Sequence, residues 1–314
     1  LEKDFWSISL KGGNAMSKIY KALEKAEKER DLKQDYTPLP EIKEEQEKVS
    51  REIGFDLPMG IGKDADQKLV SLFQPGSLAS EQFRKLRTHI FRVKASEPMR
   101  TIMVTSATNG EGKSFVASNL AIGIANDLHA HALLVDCDLR RPTIAEWFGI
   151  EKGKGISDYL KGDGNLSEYI RKTEMEKLTI LSAGGVQENP TELFGSKKMV
   201  ALVNELKSRY PDRFIIFDST PLLATTEPQV LGRMMDGIIF VVRAGVTPRE
   251  TVRQALDSLG KDKILGFVLN HLQFRSSGLH SQYFGSDGYY YRYGYGKSKP
   301  KSKKRFYGIF QSKN

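Results

Sequence analysis

Residues 101–125 read TIMVTSATNGEGKSFVASNLAIGIA. TIMVTS is an apolar, β-branched run of the kind found in strands buried on both faces. The loop ATNGEGKS (107–114) comes next, and then SFVASNLAIGIA (114–125), with the apolar character of a helix. Strand, glycine loop and helix in that order are the setting of the G-x-x-x-x-G-K-[ST] phosphate loop. Ala107 stands in place of the first glycine, while Gly112, Lys113 and Ser114 match the pattern. Gly110 and Gly112 let backbone N–H groups curl around a phosphate at a helix N-terminus, where the dipole favours an anion. The expected nucleotide-binding residues are therefore Asn109, Gly110, Glu111, Gly112, Lys113, Ser114 and Phe115. Lys113 reaches the β- and γ-phosphates of ATP, and the Ser114 hydroxyl ligates Mg²⁺. An ordinary glycine turn would leave the strand–loop–helix setting unexplained.

Further apolar runs lie downstream: ALLVDC (132–137), LTILSA (178–183), FIIFDS (214–219), GIIFVV (237–242) and ILGFVLN (264–270). Helical segments such as TPRETVRQALDSL (247–259) separate them. This alternation predicts an α/β fold, a mostly parallel sheet with helices on both faces. Acidic residues stand at two strand ends, where ligands of open α/β sheets bind. Asp218 closes FIIFD in the position that holds Mg²⁺ directly or through water. Asp136 and Asp138, two residues apart, share a face if the chain there is extended. Close carboxylates repel unless a cation or a proton lies between them. With a phosphate loop upstream, Mg²⁺ is the obvious cation, which leaves one carboxylate free as a base. Arg140 and Arg141 come directly after, suited equally to a transferring phosphate and to surface pairing.

The chain has 314 residues, 39% hydrophobic, with one cysteine, Cys137, and a net charge of +9. One cysteine excludes an internal disulfide framework. No apolar run approaches the ~20 residues of a membrane-spanning helix. The N-terminal residues lack the h-region of a signal peptide, and the expectation is a cytoplasmic chain. Seven Lys or Arg and no acid fall in residues 297–314, leaving +2 for the rest. The basicity is thus mainly a tail and not a folded basic face, which argues against a specific nucleic-acid partner.

Four segments are expected. Residues 1–15 differ in character from the segment beginning at Met16 and are read as lying upstream of a natural start there. Residues 16–76 form a helical arm and linker, opening with the amphipathic MSKIYKALEKAEKER. Residues 77–271 form the nucleotide-binding domain, introduced by a helix from Ser77 with Phe83, Leu86, Ile90 and Val93 on its apolar stripe. Residues 272–314 form a flexible tail carrying YFGSDGYYYRYGY (283–295), six tyrosines in thirteen positions.

ATNGEGKS, LLVDCDLRRP and FIIFDSTP, together with the tyrosine cluster, resemble the bacterial tyrosine kinases over roughly residues 77–296. The opening MSKIYKALEKAEKER is most similar to the exosortase-associated cytoplasmic autokinases of exopolysaccharide loci. The resemblance implies a protein-tyrosine autokinase with Lys113 on the phosphates, Ser114, Asp138 and Asp218 around Mg²⁺, and Asp136 as the base. Its phosphoacceptors would be Tyr283, Tyr289, Tyr290, Tyr291, Tyr293 and Tyr295. EQFRKLR (81–87) resembles the family's oligomerisation motif, in which Glu81 of one subunit meets Arg84 and Arg87 of the next in a ring. A separate membrane-spanning activator of the polysaccharide co-polymerase type and a tyrosine phosphatase are the implied partners.

Two other readings compete. A MinD/ParA-like ATPase switch shares the sheet and the acidic strand ends, but its early loop lysine is replaced here by Thr108. A nucleotide-binding scaffold without catalysis sits poorly with the presence of Lys113, Ser114, Asp136, Asp138 and Asp218 together.

Overall fold

A computed structural model describes residues 65–271 apart from 94–98, 163, 210, 211 and 260. The arm at 16–30, the tyrosine cluster at 283–295 and the basic tail lie outside the described residues.

Seven strands form one sheet in the order β3-β4-β2-β5-β1-β6-β7. They are β1 Thr101–Ser106, β2 His131–Asp136, β3 Ile170–Lys172, β4 Leu178–Leu181, β5 Arg213–Asp218, β6 Gly237–Arg243 and β7 Ile264–Asn270. All neighbours pair in parallel except β3, which runs antiparallel to β4 at one edge. The parallel, two-sided sheet expected from the apolar runs is the one observed.

Helices cover both faces, and alternate residues of each strand serve opposite layers. On one face Ile102, Val104, Leu134 and Val241 pack under α2 (Leu78–Phe91) and α3 (Lys113–Ala125). On the other, Met103, Val135, Phe217 and Phe240 meet α7 (Lys197–Arg209), α8 (Glu227–Met234) and α9 (Arg249–Asp257). The helix α3 lies between the sheet and α2, which explains why it is apolar nearly all round.

The expected helix from Ser77 is α2. Ser77 is its N-cap, its side chain accepting from Ser80 N at 3.1 Å, a cap worth about 1 kcal/mol. Phe83, Leu86 and Ile90 are buried, as their spacing requires. The packed residues begin before Ser77, however. The short helix α1 (Val70–Phe73) comes directly after the fully buried Leu69, and Ser71 N donates to Asn119 Oδ1 at 2.8 Å. A four-residue helix is too short to display a period, so only contact with α3 reveals it. Three shorter helices lie between β2 and α7: α4 (Ile144–Trp147), α5 (Ile156–Lys161) and α6 (Pro190–Phe194).

Candidate active site

The phosphate loop runs from the end of β1 to the start of α3. Gly110 has φ +75° and Gly112 φ +93°, left-handed values that glycine adopts without strain. Gly112 meets a second constraint. A Cβ there would run into Asn270 Nδ2, whose amide donates to Glu111 O at 2.9 Å. The last residue of β7 therefore clamps the loop from the side.

Glu111 is almost fully buried, at 1% exposure. Its Oε2 accepts from Thr108 N at 2.7 Å, and its Oε1 accepts from the Thr247 hydroxyl and, at 3.5 Å, from Arg243 N. The carboxylate braces the loop against the end of β6, so what Glu111 offers an anion is its backbone N–H. Phe115 likewise turns its ring toward α2, edge-on to Phe83 at 5.6 Å. Asn109 and Gly110 are exposed at the loop's crest, while Lys113, the first residue of α3, is buried. Backbone bonds from Leu222 N to Ser106 O (2.9 Å) and Leu223 N to Ala107 O (3.1 Å) fasten the segment after β5 to the same loop.

Asp136 and Asp218 end adjacent strands and are register partners. Asp136 is committed to its own loop: Oδ1 accepts from Asp138 N and Oδ2 from Ile144 N, each at 3.1 Å. Burial holds its carboxyl well above the usual carboxylate range, and the charge of Asp218 adds to the effect. Asp218 is fully buried, and among the described residues no close hydrogen bond reaches either of its oxygens. Its pKa is pushed up to about 7, chiefly by burial and also by Asp138, against the opposing influence of Lys113 and the Ser114 hydroxyl. The Ser114 hydroxyl thus lies near enough to stabilise the Asp218 charge, though not at close hydrogen-bond distance. Asp138 is only partly buried, and its Oδ1 accepts from Arg141 N at 2.9 Å. Cys137, between the two aspartates, is buried, and burial pushes its thiol up, so it is not a reactive thiolate.

Two orphaned carboxylate oxygens beside a hydroxyl and an ammonium suit a hard divalent cation. Among the described residues no group of three or more His, Cys, Asp or Glu could hold a metal alone. A Mg²⁺ ion here would therefore draw on Asp218, Ser114 and oxygens of a bound nucleotide. That division is usual for Mg²⁺, which keeps waters and phosphates as ligands.

Two features escaped the sequence reading. One is the brace made by Glu111. The other is an ion pair: Arg140 Nη2 reaches Glu227 Oε1 at 2.9 Å, and Glu227 is fully buried at the start of α8. Arg140 therefore ties the segment after β2 to the segment after β5. A Glu before Pro228 reads as an exposed helix start, and nothing in the sequence pairs it with a residue 87 positions away.

The expected oligomerisation residues lie on α2. Arg84 pairs with Glu81 of the same helix at 2.6 Å and donates to Pro75 O at 3.0 Å. Arg87 donates to Gly123 O at 2.9 Å and lies 4.0 Å from Asp127. The three side chains do not converge on one another: Arg84 joins Glu81, while Arg87 turns to α3.

A glycine loop after an interior strand, a lysine at the start of the next helix and acidic ends on two neighbouring strands define a P-loop nucleotide-binding fold. YwqD of Bacillus subtilis (strain 168), a tyrosine-protein kinase, is 34% identical over 231 residues, 73% of this chain and 93% of that protein. The succinoglycan biosynthesis transport protein ExoP of Rhizobium meliloti (strain 1021) is 30% identical over 225 residues, 70% of this chain but 28% of ExoP. The kinase domain of the Escherichia coli tyrosine kinase ETK superposes with a TM-score of 0.62 at 29% identity, covering 67% of this chain and 82% of that one. No family model matches the chain. On the relationship to YwqD, the chain belongs to the bacterial tyrosine-protein kinase family. Among the described residues no helix is long and apolar enough to cross a membrane.

Proposed function

We propose that this chain transfers the γ-phosphoryl group of ATP to tyrosine hydroxyls of its own C-terminal cluster, acting on a neighbouring copy. The observation that carries the reading is the unpartnered, buried carboxylate of Asp218 beside Lys113 and Ser114. Phosphoryl transfer asks the protein for positioning and charge stabilisation more than for covalent chemistry. Backbone N–H groups of Asn109 to Phe115 would hold the phosphates, and Lys113 would neutralise the β- and γ-oxygens. Asp218 and Ser114 would hold Mg²⁺, which spreads the phosphate charge when bound.

In the step itself a tyrosine oxygen bonds to the γ-phosphorus as the bond to the β-phosphate oxygen breaks and ADP leaves. The phenol, with pKa ≈ 10, must lose its proton to a nearby base. The resemblance to the bacterial tyrosine kinases implies Asp136 for that role. What favours Asp138 instead is access, because both Asp136 oxygens already accept backbone N–H groups below the surface. Asp136 then orients the loop that carries Asp138.

Tyr283, Tyr289, Tyr290, Tyr291, Tyr293 and Tyr295 are the proposed acceptors. Each phosphate adds ≈ −1.5 to −2 charge at pH 7, so full modification adds roughly −9 to −12. Such charging would expel the tail from the neighbouring site and loosen a ring joined through Glu81, Arg84 and Arg87. The name of ExoP supports a place in polysaccharide production or export. A membrane-spanning activator and a tyrosine phosphatase complete the proposed cycle, with the chain at the cytoplasmic face of the membrane.

The test is peptide mass spectrometry after incubation with Mg·ATP, beside Lys113→Met. Phosphate on residues 283–295 that vanishes in the variant supports the reading. Hydrolysis of ATP without phosphotyrosine, even with the activator's cytoplasmic segment present, would reject it.

A further inference from the structure

Three exposed apolar side chains stand in loops at the same edge of the sheet as the phosphate loop, and nothing in the site's chemistry accounts for them. Val186 (69% exposed), Leu223 (38%) and Val246 (53%) lie in the loops after β4, β5 and β6. These strands are parallel, so the three loops share the carboxyl edge of the sheet with the phosphate loop. Each is fastened, by a bond at the same or the next residue, to the phosphate loop or to the segment after β2 that carries Asp138. Leu223 N donates to Ala107 O, Gln187 N donates to Leu139 O at 3.0 Å, and the Thr247 hydroxyl donates to Glu111.

An exposed valine or leucine alone is ordinary. Three of them on fastened loops around one polar centre are a different matter. From β4 to β6 the sheet takes four inter-strand steps, roughly 19 Å at about 4.8 Å each, and the acidic strand ends and phosphate loop lie within that span. An extended peptide of about six residues, rising ~3.3 Å per residue, would bridge it. A phosphate gains little from such a rim, and a nucleotide could use it only through its base, at one point and not across the whole span. An aromatic ring does, because it can lie on apolar surface while its hydroxyl points to the polar centre.

We propose that Val186, Leu223 and Val246 form the acceptor rim, which seats the phenol rings of residues 283–295 from a second copy and so selects tyrosine within an aromatic, glycine-spaced segment. The inference rests on the kinase reading above. The segment fits the rim chemically, with six tyrosines and Phe284 against a single Asp287 and a single Arg292. Chain length does not confine it to its own copy: eleven residues separate His271 from Tyr283, up to about 40 Å of extended chain.

The experiment uses the full chain with Val186→Asn, Leu223→Asn and Val246→Asn combined, and full-length Lys113→Met protein as the acceptor. Transfer of phosphate to the acceptor is measured against acceptor concentration, and binding of a fluorescent ATP analogue with Mg²⁺ is measured alongside. The expected result is a KM for the acceptor raised about tenfold or more, the size of a lost apolar anchor, with nucleotide affinity and melting temperature unchanged. An unchanged acceptor KM overturns the proposal and leaves the kinase reading standing. A weakened nucleotide affinity also overturns it, by assigning the rim to ATP. If the unsubstituted chain transfers no phosphate to the acceptor, the kinase reading itself fails and the rim proposal falls with it.

Discussion

Asp136 and Asp218 stand side by side in register at the ends of β2 and β5, both sealed from solvent, yet among the described residues only Asp136 has close hydrogen bonds. A buried carboxylate without partners is costly when ionised, and a second one beside it raises the cost. The pair therefore stores an electrostatic demand that a cation or a proton can meet. Burial displaces the pKa of Asp218 to about 7, so near neutral pH a proton can meet part of that demand.

The displacement sets the sign of a pH effect. A carboxyl whose folded pKa exceeds its unfolded value binds more protons when folded, so stability is lost as pH rises between the two. For Asp218 that window runs from about 4 to about 7. Asp218→Asn should therefore raise the melting temperature of the nucleotide-free protein at pH 7.5 by several degrees, at ~2–4 °C per kcal/mol. The difference should shrink toward zero below pH 4. Thermal denaturation of both proteins from pH 4 to 8, in chelator, would check this. The same variant should lose Mg²⁺-dependent stabilisation by ATP.

Gly112 gives a second prediction. Its φ of +93° and the Asn270 amide both exclude a side chain. Gly112→Ala should cost roughly 1–3 kcal/mol of stability and abolish binding of a fluorescent ATP analogue. Adding Asn270→Gly relieves the close approach but not the backbone strain, and also frees Glu111 O from its clamp. Rescue of nucleotide binding by the second change should be partial at best.

The sheet was legible because buried parallel strands announce themselves as apolar runs. TIMVTS and ILGFVLN coincide with β1 and β7 residue for residue, and the remaining runs differ by one or two residues at their ends. The phosphate loop was legible for a similar reason, since its glycines have no other use in that setting. Features that stayed hidden were long-range or short in extent. β3 is three residues, IRK, mostly solvent-facing, and is a strand only because β4 lies beside it. Glu111 looked like one more loop residue, although its carboxylate depends on Arg243 and Thr247 more than 130 positions on. The aspartates could be grouped from their spacing alone, but their division of labour depends on which oxygens the backbone already occupies.

The Glu111 brace supplies the third prediction. Glu111→Ala leaves Thr108 N and the buried Thr247 hydroxyl without their acceptor, at about 1–3 kcal/mol. The loop would lose its shape before the fold loses its stability, so affinity for ATP should fall further than the melting temperature suggests. Thr247→Val removes one donor and leaves the others, and its effect should be smaller. Equilibrium nucleotide binding and denaturant unfolding on the same samples separate the two quantities.

The pair Arg140–Glu227 gives the last. Burial alone would raise the Glu227 carboxyl, but hydrogen bonds from Thr225 and Arg140 more than offset it and hold the pKa below the usual value. A depressed carboxylate stabilises the fold above its unfolded pKa, and that stabilisation is lost as pH falls through the folded one. Removing Arg140 leaves a buried charge with one oxygen, Oε2, already unpartnered. Breaking a fully buried pair costs ~3–5 kcal/mol, but Arg140 is 44% exposed, so water screens part of the loss. Arg140→Met should therefore cost on the order of 1–3 kcal/mol at pH 7. Glu227→Gln should cost less, because no charge is stranded in the interior. The ordering is the decisive quantity. If chemical denaturation at pH 7 finds Glu227→Gln the more damaging of the two, the carboxylate serves something other than Arg140, and the pair is not the main tie between the segments after β2 and β5.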